Sequence, residues 1–486
     1  MNLRNSVAWL LFVLIFCLPA VGKGADSNGG SDGSGLLRVG TFHVDASPPI
    51  GSPLAYDPCI GVTDPLSLSG IVILGSGDPI VMAAVDWIGV ANESHRELRQ
   101  QMAAAAGTTI DRVTVHALHQ HDAPRCDFSA AALLAHHGIE AAGYDVPWAR
   151  DVFRQAAQAV SGAVEDAVAF DEVGVGVAEV HDVASNRRLM NAAGQVTATR
   201  YTATRDPKLR AMPVGTIDPL LRSISLWQAG EPIVVLTYYA THPQSYYRTG
   251  LANPDFPGYA RNTRQTETGV PHVHFNGAGG NIGAGKWNDG SPENRAKLAN
   301  RVADAMQRAF EATSRQQVTA EDLDWAVVAV GLPPAEHLVE ADLLARLTDP
   351  ETSAADAQGV ATNLAWLRRC QAGDTIEISR LTLGPADILH MPGELFVEYQ
   401  LAAAAMQPDR LVAMAAYGDY APGYIGTRIG YTQGGYETSE RASRVAPDVE
   451  TVLVDAMSRL LGSDVAVEPL GVPHDGIAAA EEEGER

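Results

Sequence analysis

Five times along this chain an apolar, strand-like run ends in a short cluster of reactive side chains. Arg112-Val113-Thr114-Val115-His116-Ala117 leads into His119-Gln120-His121-Asp122, and Ile233 to Leu236 leads into Tyr238-Tyr239-Ala240-Thr241-His242-Pro243. Val270 to Phe275 runs into the glycine-rich stretch Asn276 to Lys286. Ile388-Leu389 runs into His390-Met391-Pro392-Gly393-Glu394, and Leu411 to Tyr417 runs into Tyr420 to Thr427. Helical periods separate these runs, at Ser94 to Ala106, Pro147 to Ala167, Pro292 to Thr313, Ala354 to Cys370, Glu394 to Met406 and Pro447 to Leu461. Strands alternating with helices throughout predict an α/β fold, with a large mixed β-sheet and flanking helices in a single catalytic domain. Pro292 and Pro447 suit the first turns of their helices. No internal repeat is visible in the residue pattern.

The chain is long enough, at 486 residues and 46% hydrophobic, to bury a large core. Its formal net charge of -23 repels nucleic acid and anionic membrane surfaces. Residues 1–24 read as a signal peptide: Arg4, then the apolar run Val7 to Phe16, then small residues from Ala20 to Ala25. The protein is therefore expected to be exported, to a periplasm or as a secreted chain. Residues 25–36 read as a flexible Gly/Ser leader, 37–462 as the catalytic domain and 463–486 as a disordered acidic tail. Cys17 falls in the signal segment. Cys59, Cys126 and Cys370 are too few and too dispersed for a disulfide framework, though one bridge is compatible with them. Cys126, soon after His121, reads as a packed or bridged cysteine, with nucleophile or metal ligand as the alternative.

On an extended chain His119 and His121 share one side, as half of a metal site does; a polar loop is the alternative. His242 leaves a strand that Pro243 stops. The glycines of Gly277 to Gly285 suit positive φ, close backbone approach, or an amide nest for an anion; Trp287 after Lys286 excludes a nucleotide P-loop. Pro392-Gly393 predicts a turn with Glu394 opening a helix, as dipole partner, metal ligand or general base. The tyrosines of the fifth cluster are packing residues or oxyanion donors. Together the clusters offer two to three imidazoles, a carboxylate and donors at strand ends, the composition of an open hydrolytic metal site. Zinc is the default ion for such ligands without redox motifs.

His119-x-His121, Ala240-Thr241-His242-Pro243, Pro392-Gly393-Glu394 and Gly423-Tyr424-x-x-Thr427 to Tyr436-Glu437 resemble the neutral/alkaline ceramidase family, as do the earlier Pro49-Ile50-Gly51 and Asp64-Pro65-Leu66. The resemblance runs from about Leu37 to Gly462, the family's catalytic domain. It implies a zinc amidase of the kind that cuts the N-acyl bond of the sphingolipid ceramide. It implies His119, His242, Glu394 and Tyr424 as zinc ligands, with His121, Tyr436 and Arg187 (from the pair Arg187-Arg188) assisting the reaction. It also implies a small-molecule or lipid-like amide as partner, with membrane contact only through that substrate.

Three features depart from the family pattern. Gly280-Asn281-Ile282-Gly283-Ala284 stands where the family has G-D-x-S-P, so Gly283 replaces its serine. Leu118-His119-Gln120-His121-Asp122 stands where it has T-H-T-H-S. The C-terminal immunoglobulin-like domain of many members is not expected after Leu461. The reading is an exported zinc-dependent hydrolase of an amide, working without an acyl-enzyme at 283, with His121 or Asp122 carrying a proton to the leaving amine. The alternatives are an esterase or other amidase on the same scaffold, and a non-catalytic zinc-binding relative.

Overall fold

In the computed structural model of the protein, residues 36–75, 77–464 and 469–471 are described; the expected signal segment, nearly all of the leader and most of the acidic tail lie outside them. The mixed α/β architecture divides its strands among three larger sheets and several two-stranded pairs. The three larger sheets repeat one topology. In the first, the spatial order is Val113–Ala117, Gly77–Val85, Ser67–Gly75, Leu37–Asp45. In the second it is His272–Asn276, Glu231–Tyr239, Leu220–Gln228, Glu172–Glu179. In the third it is Leu411–Ala415, Ala386–His390, Ile376–Leu383, Leu323–Val330. Short strands, Val168–Phe170 and Ser314–Gln317, extend the first two sheets.

Each module therefore has three antiparallel strands, then a helix, then a fourth strand parallel to the third. The crossover helices are Asn92–Ala106, Asp255–Thr268 and Val397–Met406. A parallel pair needs such a crossover, and its strand ends then face the same way. The repeat is hidden in the sequence because long, unrelated excursions separate the first and second strands of every module.

One face of each sheet turns to a shared core. Ile71, Ile73 and Met82 of the first module meet Ile224, Leu236 and Phe275 of the second and Leu381, Ile388 and Ala413 of the third. Helices Val146–Glu165, Pro292–Glu311 and Val449–Leu461 help to cover the outer faces. Sheets covered on both faces have continuous apolar strands, and all of Ser67–Gly75 except Gly75 is buried. Gly70 is required in that strand because a Cβ there would lie 2.1 Å from the Met82 carbonyl oxygen.

The fourth strands are stitched together where they end. Ala117 N–H donates to the Tyr417 carbonyl (2.9 Å), and Ala416 N–H donates to the Asn276 carbonyl (2.9 Å). The Asn276 side-chain amide reaches the Leu118 carbonyl at 3.5 Å. The Leu411 strand stops at Ala415, and Tyr417 is already left-handed (φ 59°). Pro292 occupies a first turn as expected, whereas Pro447 stands just before the helix Val449–Leu461. Cys59, Cys126 and Cys370 are all free, so no bridge joins them. Among the described residues no helix is long and apolar enough to cross a membrane.

The first and second modules are also joined by a buried ion pair. Asp86, at the end of Gly77–Val85, accepts from both Arg261 terminal nitrogens (2.7 and 2.9 Å) and from the Ser67 amide and hydroxyl (both 2.8 Å). Arg261→Ala leaves that carboxylate buried without its cation. The expected loss is about 3–5 kcal/mol of unfolding free energy in urea titration, with Arg261→Lys losing less.

Candidate metal centre

Every candidate ligand follows the carboxyl end of a third or fourth strand in one of the three modules. His119 and His121 follow Val113–Ala117, His242 follows Glu231–Tyr239, Glu394 follows Ala386–His390, and Tyr424 lies beyond Leu411–Ala415. One ring nitrogen each from His119, His121 and His242 lies within 4.8 Å of the other two. Glu394 Oε2 is 3.2 Å from His119 Nε2 and 3.4 Å from His242 Nε2. Glu394 does not open a helix. It forms a two-residue parallel bridge with Tyr424–Ile425, directly opposite Tyr424, and the helix begins at Val397. Gly393 makes the turn at φ 60°, where a Cβ would meet the Gly423 carbonyl oxygen at 2.7 Å.

His119 and His121 do not share a side through strand alternation, because the strand ends at Ala117 and His119 is left-handed (φ 66°). That conformation costs a non-glycine residue roughly 1–2 kcal/mol. It is held by the His119 amide donating to the Trp87 carbonyl (2.9 Å) and by the ring stacked on Tyr417 at 4.8 Å.

The far-side hydrogen bonds settle the tautomers. His119 Nδ1 donates to the Ile88 carbonyl (2.6 Å) and His242 Nδ1 to the Gly279 carbonyl (3.0 Å). A carbonyl only accepts, so in each neutral ring Nδ1 carries the hydrogen and Nε2 presents a lone pair. The Tyr424 hydroxyl therefore donates to His242 Nε2 (3.3 Å). His119 Nε2, His121 Nε2 and Glu394 Oε2 are buried with no hydrogen-bond partner. Burial, then His119, Arg187 and Arg125, hold His121 well below the usual imidazole range. The lone pairs of His119 Nε2, His242 Nε2 and Glu394 Oε2 thus converge, which is the ligand set a divalent ion needs.

Of the arginine pair, Arg187 reaches the centre and Arg188 does not. Arg187 donates to the Tyr424 hydroxyl (3.3 Å) and to Glu437 Oε1 (2.9 and 3.1 Å). Arg188 donates to the Gly430 carbonyl (3.0 Å) and packs over Phe396. Tyr436 lies edge-on to Tyr424 at 5.7 Å, and both line a cavity of about 900 Å³ that opens on His119, His121 and Glu394. Arg187 lies behind Tyr424, outside that lining.

The space at Gly283 is filled by Arg187: a Cβ there would lie 3.1 Å from its Cδ. The Ser185 hydroxyl donates to the Gly283 carbonyl (2.9 Å) and supplies no substitute for the missing serine. The glycine loop is not an anion nest. The amides of Gly277, Ala278, Gly280 and Ile282 all donate within the protein, and none of Gly277, Gly279, Gly280 and Gly283 has positive φ. These glycines permit close approach instead, as at Gly280, where a Cβ would sit 2.3 Å from the Glu394 carbonyl oxygen. Asp122 is committed to the neighbouring loop, accepting from the Arg248 and Thr249 amides (2.9 and 3.2 Å) and the Thr249 hydroxyl (2.7 Å). Cys126 lines the cavity, but burial raises its thiol far above the range of a nucleophile.

Sequence patterns missed the supporting residues. The Tyr420 hydroxyl donates to Glu394 Oε1 (2.6 Å), and Tyr56 exchanges a hydrogen bond with His121 Nδ1 (2.9 Å). Tyr420 stood inside a recognised cluster without a role, while nothing around Ala55-Tyr56-Asp57 marks Tyr56.

No protein-family model matches this sequence, and no curated protein is significantly similar to it. The fold, however, is that of neutral ceramidase. The crystal structure of neutral ceramidase from Pseudomonas aeruginosa superposes with a TM-score of 0.65 at 17% identity, covering 90% of this chain and 76% of that one. A structure of ceramidase complexed with C2 gives 0.64 at 16% identity, over 88% and 75%. The resemblance carried by the motifs is thus borne out in the fold.

Glu437 is fully buried and pairs with both Arg187 and Arg188. Glu437→Gln keeps its shape but leaves two buried cations unpaired. A loss of about 3–5 kcal/mol in chemical denaturation is expected.

Proposed function

We propose that this protein is an exported, zinc-dependent hydrolase of an amide bond. The observation that carries the reading is the buried convergence of His119 Nε2, His242 Nε2 and Glu394 Oε2 without a donor among them. The likeness to ceramidase folds supports amide chemistry, and the N-terminal segment supports export. His119, His242, Glu394 and Tyr424 would hold the ion. A divalent metal bound by such ligands supplies Lewis acidity, polarising a carbonyl and lowering the pKa of water toward about 7.

The surrounding residues divide the remaining work. His119 and His242 are each fixed by a backbone carbonyl, which locks one tautomer and suits a permanent ligand. His121 is anchored by a hydroxyl, which both donates and accepts, so its ring is free to exchange tautomers. That makes His121 the residue to pass a proton to the leaving amine, with Tyr56 behind it. Tyr436, at the cavity wall beside Tyr424, is the donor for the oxygen that gains charge. Arg187 positions Tyr424 by donating to its hydroxyl. Gly283 removes the hydroxyl an acyl-enzyme route would use, which leaves direct attack by water.

Zinc content and thermal stability test the reading together. Purified protein should hold one zinc, and removal by chelation should lower Tm, with recovery on adding zinc back. At free zinc about 100 times its Kd, the stabilisation is about 2.7 kcal/mol. His242→Ala and Glu394→Ala should lose both the ion and the zinc-dependent rise in Tm, and with them amide hydrolysis. Wild-type protein with no zinc and no zinc-dependent change in Tm overturns the metal claim.

A further inference from the structure

The cavity above the centre carries a charge that the rest of the molecule does not. The chain has a formal net charge of -23, yet Arg125, Arg248, Arg346, Arg441 and Arg444 all line this one cavity. None of the five forms an ion pair with a carboxylate among the described residues; most arginines elsewhere, such as Arg150, Arg261 and Arg369, do, and the other unpaired ones, among them Arg112 and Arg200, are not gathered at one cavity. Arg125 uses one terminal nitrogen on the Ala55 carbonyl (2.7 Å) and keeps a buried Nε without a partner. Arg444 bonds neutral groups, Asn363 and the Ala421 carbonyl. Arg248 lies over the Tyr56 ring at 4.8 Å, and Tyr56 in turn contacts His121. Arg346 and Arg441 are exposed at the lining.

Acidic residues in the same lining form no ion pair with them, although Arg444 acts on the Asp127 carboxyl through space. Asp127 is buried, with burial pushing its carboxyl up to about 7, and bonds Asn92 and the Ala130 amide. Asp356 takes the Ser353 hydroxyl, Glu394 belongs to the metal centre, and Glu440 is exposed. A neutral lipid amide with two long hydrocarbon chains would desolvate unpaired guanidinium groups and return nothing to them. An oxyanion would meet planar forks of donors, the geometry guanidinium recognises best. Leu338, Leu343 and Val360 add an apolar stretch of wall, against which an acyl chain can pack.

We propose that the substrate of this centre is an anionic amide: one acyl chain joined to an amine that carries a carboxylate or a phosphate. Hydrolysis adds one water across the C–N bond. Hydroxyl goes to the acyl carbon and hydrogen to the nitrogen, so the released amine keeps its oxyanion. This proposal rests on the amide-hydrolase reading and adds the charge of the substrate to it.

The test compares N-acyl glycine, N-acyl phosphoethanolamine and N-acyl ethanolamine of one chain length. Calorimetric Kd is measured on metal-free protein, and kcat/KM on zinc-loaded protein. The anionic amides should bind at least about tenfold tighter than the ethanolamide, and the two anions separate carboxylate from phosphate recognition. Arg346→Gln and Arg346→Ala should each weaken anion binding several-fold and raise KM, leave the ethanolamide unchanged, and be rescued in part by lysine at 346. Equal or tighter binding of the ethanolamide overturns the proposal, as does an equal effect of the variants on all three ligands. Charge-selective binding with no turnover of any amide overturns the hydrolase reading and leaves the anion site standing. Preferred turnover of the neutral amide does the reverse.

Discussion

Several buried lone pairs pointed at one another are an unfavourable thing to fold around. Each unpartnered buried acceptor costs about 1–3 kcal/mol, and this centre has His119 Nε2, His121 Nε2 and Glu394 Oε2 in one place. The fold tolerates it because each acceptor is fixed from behind. His119 is held by the Ile88 carbonyl, His242 by the Gly279 carbonyl and Glu394 by the Tyr420 hydroxyl. In every case the holding group comes from the segment that follows the partner strand of the same parallel pair. Each module thus delivers at least one candidate ligand together with its brace, and the third adds Tyr424.

That arrangement explains the repeated topology. A parallel pair brings two strand ends side by side, and three such pairs packed around one apolar core bring six ends together. The hydrogen bonds linking Ala117, Tyr417, Ala416 and Asn276 then fix the modules against each other where the ligands emerge. Strain is accepted at this junction: His119 and Tyr417 are both left-handed, and their rings stack. Strained, over-determined backbone at a functional centre is a recurring feature of proteins.

The surroundings extend the same logic outward. The Arg187–Glu437–Arg188 group, two cations sharing one carboxylate, sits directly behind Tyr424. Gly283 gives up a side chain to the Arg187 stem, so the loss of a hydroxyl and the positioning of an arginine are one structural event. Further out, unpaired arginines give the cavity a sign opposite to that of the whole chain.

Much of the centre was readable in the residue order. A strand that ends at His119, His242 or Glu394 announces itself through apolar runs, Pro243 and Pro392-Gly393, because strand ends obey local rules. The α/β class followed from the same alternation of periods. What local rules cannot express is approach between distant segments. Tyr56 and Tyr420 gain their roles only through contacts with His121 and Glu394, and the glycine loop proved to serve close packing against Thr241 and Glu394 rather than anion binding. His119 and His121 converge through a left-handed turn, which strand alternation does not foretell. Asp122 read as a proton carrier until hydrogen bonding tied it to the neighbouring loop, and Cys126, read as packed or bridged, is buried and unbridged. The sequence by itself determined which side chains sit at strand ends. Only the tertiary structure decided which ends meet, which nitrogen of each ring faces inward and which arginines stay unpaired, because those outcomes depend on packing between modules far apart in the chain.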